Sequence, residues 1–310
     1  MKVKMARPRP GALNLAIMAG VVCGLCLCLW FASHAQGWLP AICAAVAFAL
    51  LGNTCYALMH EAVHENFHDD AMINENAGRI LAGFFPTAFS FQRAFHLAHH
   101  RNNRSEHERF DYYAPNENRL LKFAQWYCIL TGLYWLASPI FCIVYFLLGD
   151  LLHWRTLFGR KGAWFARQTS AQEFLDVIAT VPVWRARLDI AIAIAIQFAL
   201  FFALKLSFSG WLLCYAAFGF VWSSLQYTDH AFSKMDRCDG AWNLKVSRFI
   251  RLVFLNYHCH LAHHRDPATP WNQLPGQVRA DDPSPTFWSI YLQMWRGPRP
   301  LPQSAQDQSD

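Results

Sequence analysis

Two closely spaced apolar runs near the start of the chain, residues 12–31 and 40–59, decide the surroundings in which it can fold. The first is broken only by Asn14 and is about as long as the hydrocarbon core of a bilayer requires. A second pair, residues 190–204 and 211–225, flanks a short turn holding Ser207, Ser209, Gly210 and one charge, Lys205. The Ile and Ala alternation over residues 190–196 has no polar phase, so the run reads as a buried helix and not a strand. With 54% hydrophobic and 15% charged residues, the 310-residue chain is expected to form one membrane-embedded unit over residues 1–300. Residues 301–310 form a polar tail without apolar periodicity, expected to be disordered and dispensable.

The basic residues Lys2, Lys4, Arg7 and Arg9 ahead of the first run also suit a secretory signal peptide. The length of that run and the second run directly after it favour an anchored hairpin. Most of the ten cysteines lie in apolar runs, where Cys packs as a small hydrophobe, so no disulfide framework is implied. Cys23, Cys26 and Cys28 have a metal-like spacing but read as helix packing.

The two hairpin turns are almost uncharged, whereas basic residues gather in the N-terminal arm, in residues 79–119 and 155–187, and after Asp229. Positive charge marks the cytoplasmic side, here of a cell inner membrane. The apolar stretch 123–148 is long for one span and short for two, and it contains Gly132, Ser138 and Pro139. One more full crossing there would put the last histidine-rich segment on the opposite side from the first two, so an interfacial or re-entrant helical hairpin is expected. The expected fold is an all-α integral membrane protein with four transmembrane helices in two hairpins, further interfacial or re-entrant helices, and a cytoplasmic histidine-box cap.

The 14 histidines are not scattered. His60 and His64 fall in HEAVH, His96, His99 and His100 in HLAHH, and His260, His263 and His264 in a second HLAHH. Residues three and four apart share one helix face, so each box presents two or three imidazoles together. Imidazole suits iron, copper, nickel and zinc, and ligand type alone does not name the metal. Eight imidazoles exceed what one tetrahedral or octahedral metal uses. Two irons, each with four or five protein ligands and a position left for O2, would use them well. A ninth ligand is expected at His230 in YTDHAF, ahead of His258, whose two-residue offset from His260 points it off the shared face. His68 and His107 read as outer groups, substrate contacts or solvated polar residues, and with His258 are candidates for an extra ligand without being claimed as one. His34 and His153, isolated, read as surface or capping residues. Metal-bound imidazoles usually donate their second nitrogen to a carboxylate or carbonyl, which makes Glu61, Asp111 and Asp229 candidates, with Asp69 and Asp266 behind them. No acid or base separate from the metal centre is assigned.

At these boxes the chain resembles the membrane fatty acid desaturase superfamily of acyl desaturases, alkane hydroxylases and carotenoid ketolases or hydroxylases. The resemblance covers residues 52–114 and 222–271: HEAVH is similar to the HxxxH box, both HLAHH segments to HxxHH boxes, and YTDHAF to the extra histidine segment after the last span. It implies four spans, cytoplasmic boxes, two Fe ions per chain with O2 as co-substrate, and a separate electron donor with its reductase, of ferredoxin, rubredoxin or cytochrome b5 type. EHERFDYYAPNE resembles the acidic continuation of hydroxylating members, and LNYHCHLAHH resembles the third box of bacterial oxygenase-like members. The third box departs from the simplest pattern as HxHxxHH.

The expected reaction is O2-dependent desaturation or hydroxylation of an unactivated C–H bond in an acyl lipid, fatty acid, alkane, carotenoid or smaller apolar metabolite, drawn from the membrane; no nucleic-acid partner is expected. Two rivals remain. A zinc protease would use His60, Glu61 and His64 as HExxH but leaves the other boxes unexplained. A His-rich metal transporter should carry its ligands at midspan, whereas these boxes sit at span ends.

Overall fold

A computed structural model describes residues 8–106, 108–152 and 176–302. Helix α1 (Gly11–His34) reverses at Gly37, φ 102°, into α2 (Trp38–Val63). Asn14, the one polar break in the first run, is fully buried in α1. A buried amide needs partners. Its Nδ2 donates to the Phe67 carbonyl (2.8 Å) and its Oδ1 accepts from Trp271 Nε1 (2.9 Å), tying the first helix to the segment after the third box.

Helix α3 (Ala71–Phe84) begins at Asp70, whose carboxylate accepts from the Met72 and Ile73 amides at 2.8 and 3.0 Å. Then come α4 (Phe89–Asn102), α5 (Arg119–Leu130) and α6 (Leu133–Leu152). The second hairpin is α7 (Val183–Ala203) and α8 (Phe208–Gln226), the latter capped by Ser207 Oγ on the Gly210 amide at 3.1 Å. Short helices α9 (Arg248–Val253), α10 (His260–Arg265) and α11 (Phe287–Met294) complete the cap. One departure from all-α is a two-residue parallel pairing of β1 (Tyr112–Tyr113) with β2 (Arg299–Pro300). Leu301, assigned to the polar tail, is buried, and its N–H donates to the Tyr113 carbonyl at 2.9 Å, extending that pairing. Residues 303–310, His107 and His153 lie outside the described residues.

Helix α2 is the centre of the bundle, packed on α1, α3 and α8. Its most apolar stretch is 61% buried, against 22% in α1, α6 and α7, whose outer faces therefore suit lipid contact. Inside the bundle, Gln197 of α7 donates to the Gly83 carbonyl (2.8 Å) and Tyr215 Oη (2.7 Å) and accepts from Trp211 Nε1 (3.0 Å). The ten cysteines are free, with no metal-ligand group at Cys23, Cys26 and Cys28.

Among the described residues, five helices (α1, α2, α6, α7 and α8) are long and apolar enough to cross a membrane. The chain is a mostly helical membrane protein. The fifth candidate, α6, falls in the stretch expected to be interfacial or re-entrant. That stretch is two helices, reversing at Gly132, and α6 carries Pro139 and a non-helical Leu148.

Gly132 has φ 87°, and a Cβ there would stand 2.7 Å from the Phe220 backbone nitrogen. Strain and overlap together cost about 1–3 kcal/mol or more. Gly132→Val should lower the thermal midpoint in detergent by several degrees. Gly20→Ala, where nothing lies within 4 Å, should leave it unchanged or raise it.

Candidate metal centre

His60 and His64 sit at the C-terminal end of α2. The buried carbonyl of Ala62 between them accepts from Arg93 Nη2 (3.0 Å) and Asn74 Nδ2 (2.9 Å), which fixes this end against α3 and α4. Helix α4, bearing His96, His99 and His100 in its last turns, has no side-chain cap of its own. Asp189 of α7 supplies one, accepting from the Ser90 amide (2.8 Å) and from Arg79 Nε (2.8 Å). Glu75 gathers Arg79 (3.1 Å), Arg93 (3.1 Å) and Arg185 (2.6 Å) into the same network.

The third box occupies the six-residue α10, too short to hold itself. Asn243 Oδ1 caps it through the Ala262 amide (3.1 Å), and Arg265 at its end pairs with Asp239 (2.7 Å) and Asp282. His230 lies in the turn after α8. Beside it, Arg104 makes a two-pronged pair with Asp111 at 2.8 and 2.9 Å. The same carboxylate accepts from Tyr227 Oη (2.9 Å) and the Phe232 amide (2.6 Å), so the loop after box two is locked to the loop carrying His230.

These supports bring nine imidazoles together in two groups. His60, His64, His96, His100 and His263 form one, and His99, His230, His260 and His264 the other; within each, the ligand atoms lie within 4.8 Å of one another. Facing Nε2 atoms stand 2.8 Å apart for His64 and His96, 3.0 Å for His96 and His100, and 3.0 Å for His100 and His263. In the second group, His230 Nε2 is 3.2 Å from His99 Nε2 and 2.9 Å from His260 Nε2. Donors at right angles around a metal with bonds of about 2.1 Å stand about 3.0 Å apart, a spacing that these imidazole nitrogens match.

Hydrogen bonding supports the same fit. The Gly240 carbonyl (2.9 Å) can only accept, so His230 Nδ1 carries a proton. Its Nε2 then has one lone pair facing two imidazole nitrogens. His60 Nε2 and His264 Nε2 are buried with no partner at all. Burial, with repulsion from neighbouring imidazoles, pushes His96, His230, His260, His263 and His264 well below the usual histidine range and His64 to about 3. Neutral imidazoles with converging lone pairs are a cation's donor set.

The carboxylates around the site fall differently from the sequence expectation. Glu108, not singled out there, accepts from His99 Nδ1 at 3.1 Å. Its nine-residue offset from His99, past the end of α4, carries no periodic signal. Glu61 stands 4.0 Å from His60 Nδ1 and accepts instead from the Trp271 amide at 3.1 Å. Asp111 touches no imidazole; it is fully buried as the Arg104 partner, because loop anchoring took the carboxylate. Asp229 is buried, makes no hydrogen bond to the nine imidazoles, and has a carboxyl pushed well above the usual range by burial. Asp69 pairs with Arg9 at 3.4 Å on the surface.

His258 stands outside both groups, its Nε2 3.5 Å from Cys259 Sγ, and is pushed down to about 4 by burial and then by Arg251. His68 Nδ1 accepts from the Asp70 amide at 2.9 Å and is a turn cap.

A cavity of about 620 Å³ opens on His96, His99, His230 and His260. Aromatic side chains, among them Phe91, Phe95, Phe141 and Trp222, make much of its wall.

A family model described as fatty acid desaturase matches residues 36–286, most of the chain. No curated protein matches its sequence.

Losing a carboxylate that orients a metal-bound imidazole typically costs 10–100-fold in metal affinity. Glu108→Gln should show a loss of that size in metal titrations against a competing chelator, while Asp111→Asn should lower thermal stability first. Metal-free protein should also be acid-sensitive. The buried imidazoles have depressed values, so the unfolded chain takes up protons first, and stability present above about pH 6.5 is lost as the pH falls. Melting of chelator-treated protein between pH 8 and 5 checks this; a flat profile would contradict the buried neutral imidazoles.

Proposed function

The chain belongs to the fatty acid desaturase family, and from that premise we propose that it is a membrane di-iron oxidoreductase acting on an unactivated C–H bond of an acyl chain or similar apolar substrate. The observation that carries this reading is the pair of adjacent all-imidazole groups opening on an apolar cavity. His60, His64, His96, His100 and His263 would hold one iron, and His99, His230, His260 and His264 the other. Two irons held there supply O2-dependent oxidation, with desaturation and hydroxylation as its two outcomes.

The chain's own residues bind, orient and exclude water. The aromatic wall takes the substrate out of water and limits which carbon approaches the site, where a displacement of about 1 Å changes the outcome. Glu108 and the Gly240 carbonyl hold His99 and His230 in the tautomers whose Nε2 lone pairs face inward. Electrons would come from a separate donor protein of ferredoxin, rubredoxin or cytochrome b5 type with its reductase, as membership of the family suggests.

In this reading α1, α2, α7 and α8 are the four crossings of a cell inner membrane, and α6 stops short of a fifth. His60 at the end of α2 and His230 after α8 belong to one site, so an even number of crossings separates them. The basic segments put that site on the cytoplasmic side. A zinc protease accounts for His60 and His64 alone, and Glu61, its general base, is 3% exposed and engaged by the Trp271 amide. Ligands at helix ends, not at midspan, weigh against a transporter.

The test is product analysis under ¹⁸O2 with iron-loaded protein, a chemical reductant and extracted host lipids. We expect a lipid that either gains one ¹⁸O atom as an alcohol or loses two hydrogens without label, with both products absent in His263→Ala. Oxidation that persists in His263→Ala, or hydrolysis of a peptide instead, would contradict the reading.

A further inference from the structure

The substrate cavity has a polar spot in an otherwise largely apolar stretch of wall. Thr87, which is 2% exposed, accepts from Ser138 Oγ (2.9 Å) and from Gln92 Nε2 (3.4 Å), and its hydroxyl lies 3.8 Å from Cys142 Sγ. All four residues line the cavity. Thr87 fixes the Gln92 amide by one hydrogen. Among the described residues this is the hydrogen bond that the Gln92 side chain makes, which leaves its carbonyl and second amide hydrogen for a ligand. An amide held at a cavity wall with a donor and an acceptor free is a recognition element for a neutral polar group, because leaving it unpaired against an apolar ligand costs free energy.

Its position relative to the metal ligands is set by α4. Gln92, Phe95, His96 and His99 are spaced i, i+3, i+4 and i+7 and share one face, and all four line the cavity. At the α-helical rise, Gln92 stands about 6 Å along the axis from His96 and about 10 Å from His99. Charge narrows the choice further. Among the described lining residues none is Lys or Arg, and Glu108 is acidic, so around Gln92 no described side chain compensates an anion taken out of water.

We propose that the cavity takes a neutral, lipid-like substrate whose own hydroxyl or carbonyl group is held by Gln92, oriented by Thr87 and Ser138, about 6–10 Å from the carbon that faces the histidines. This rests on the cavity being the substrate site of the proposed oxidation, and it names the substrate class of that site. A hydroxyl uses both free positions of the amide; a carbonyl uses the N–H alone. A carboxylate or phosphate has no counter-charge among the described residues around Gln92.

The experiment is equilibrium dialysis of labelled dodecane, dodecan-1-ol and dodecanoate against the iron-loaded full chain in detergent, corrected for micelle partition. The alcohol should bind about tenfold more tightly than the alkane, the worth of one buried hydrogen bond, and more tightly than the carboxylate. Gln92→Leu should abolish the alcohol's advantage with alkane affinity and iron content unchanged. Ser138→Ala, a smaller change, should reduce it by freeing the Thr87 hydroxyl that holds the amide. Equal binding of alcohol and alkane, preference for dodecanoate, no binding of any probe, or an advantage that survives Gln92→Leu would each overturn the proposal. Iron measured in the same samples separates the two levels. A chain that holds no iron contradicts the proposed oxidation, whereas an iron-loaded chain indifferent to the hydroxyl contradicts the Gln92 subsite alone.

Discussion

One lone pair on His230 Nε2 faces two imidazole nitrogens at 2.9 and 3.2 Å, and it can satisfy only one of them. The same conflict recurs around both histidine groups, where converging nitrogens are buried and protonation is opposed by burial. Such a cluster in a metal-free protein is a collection of desolvated acceptors, each unpaired one costing about 1–3 kcal/mol. A cation at the centre of each group turns the same geometry into its coordination shell. With metal bound as proposed, the cap's folding would depend on it, and the surrounding supports serve to hold that cap together.

The supports are polar and long-range because the boxes cannot position themselves. Helices α4 and α10 both begin without a side-chain cap, and each borrows one from a distant segment, Asp189 for α4 and Asn243 for α10. The buried Arg104 and Asp111 pair, within the loop after box two, holds the loop of His230 through the Ser233 carbonyl and the Phe232 amide. A pair with neither partner exposed is weak evidence for net stability, but removing one partner strands a charge, so it acts as a register device between the two loops. Below these contacts, α2 connects the metal ends to the membrane bundle, and its burial exceeds that of its neighbours because it is packed on three sides.

Local periodicity was readable from the chain, and cross-chain contacts were not. The boxes announce themselves because i, i+3 and i+4 spacing is itself the geometry of a helix face. The structure puts His230 in a group and His258 beside Cys259, ahead of the first residue of α10, so the two-residue offset of His258 from His260 is not a helical one. The apolar runs gave the long helices, and Gly132 marked the reversal between α5 and α6. By contrast, Glu108 reaches His99 across an irregular loop, where no period predicts direction. Asp111 looked like an outer partner of the site, but its carboxylate meets Arg104, seven residues back in the same irregular loop, where no period predicts direction. Asn14 was legible as an oddity, while its partners Phe67 and Trp271 were not. The Gln92 amide was invisible until α6 brought Ser138 to Thr87.

The most direct test of the account is the metal content of anaerobically purified protein, measured by elemental analysis beside His64→Ala, His99→Ala, His230→Ala and His258→Ala. Iron near two per chain, lowered by the first three substitutions and indifferent to the fourth, is the result the account predicts. Zinc near one per chain, unaffected by His99→Ala and His230→Ala, would contradict it.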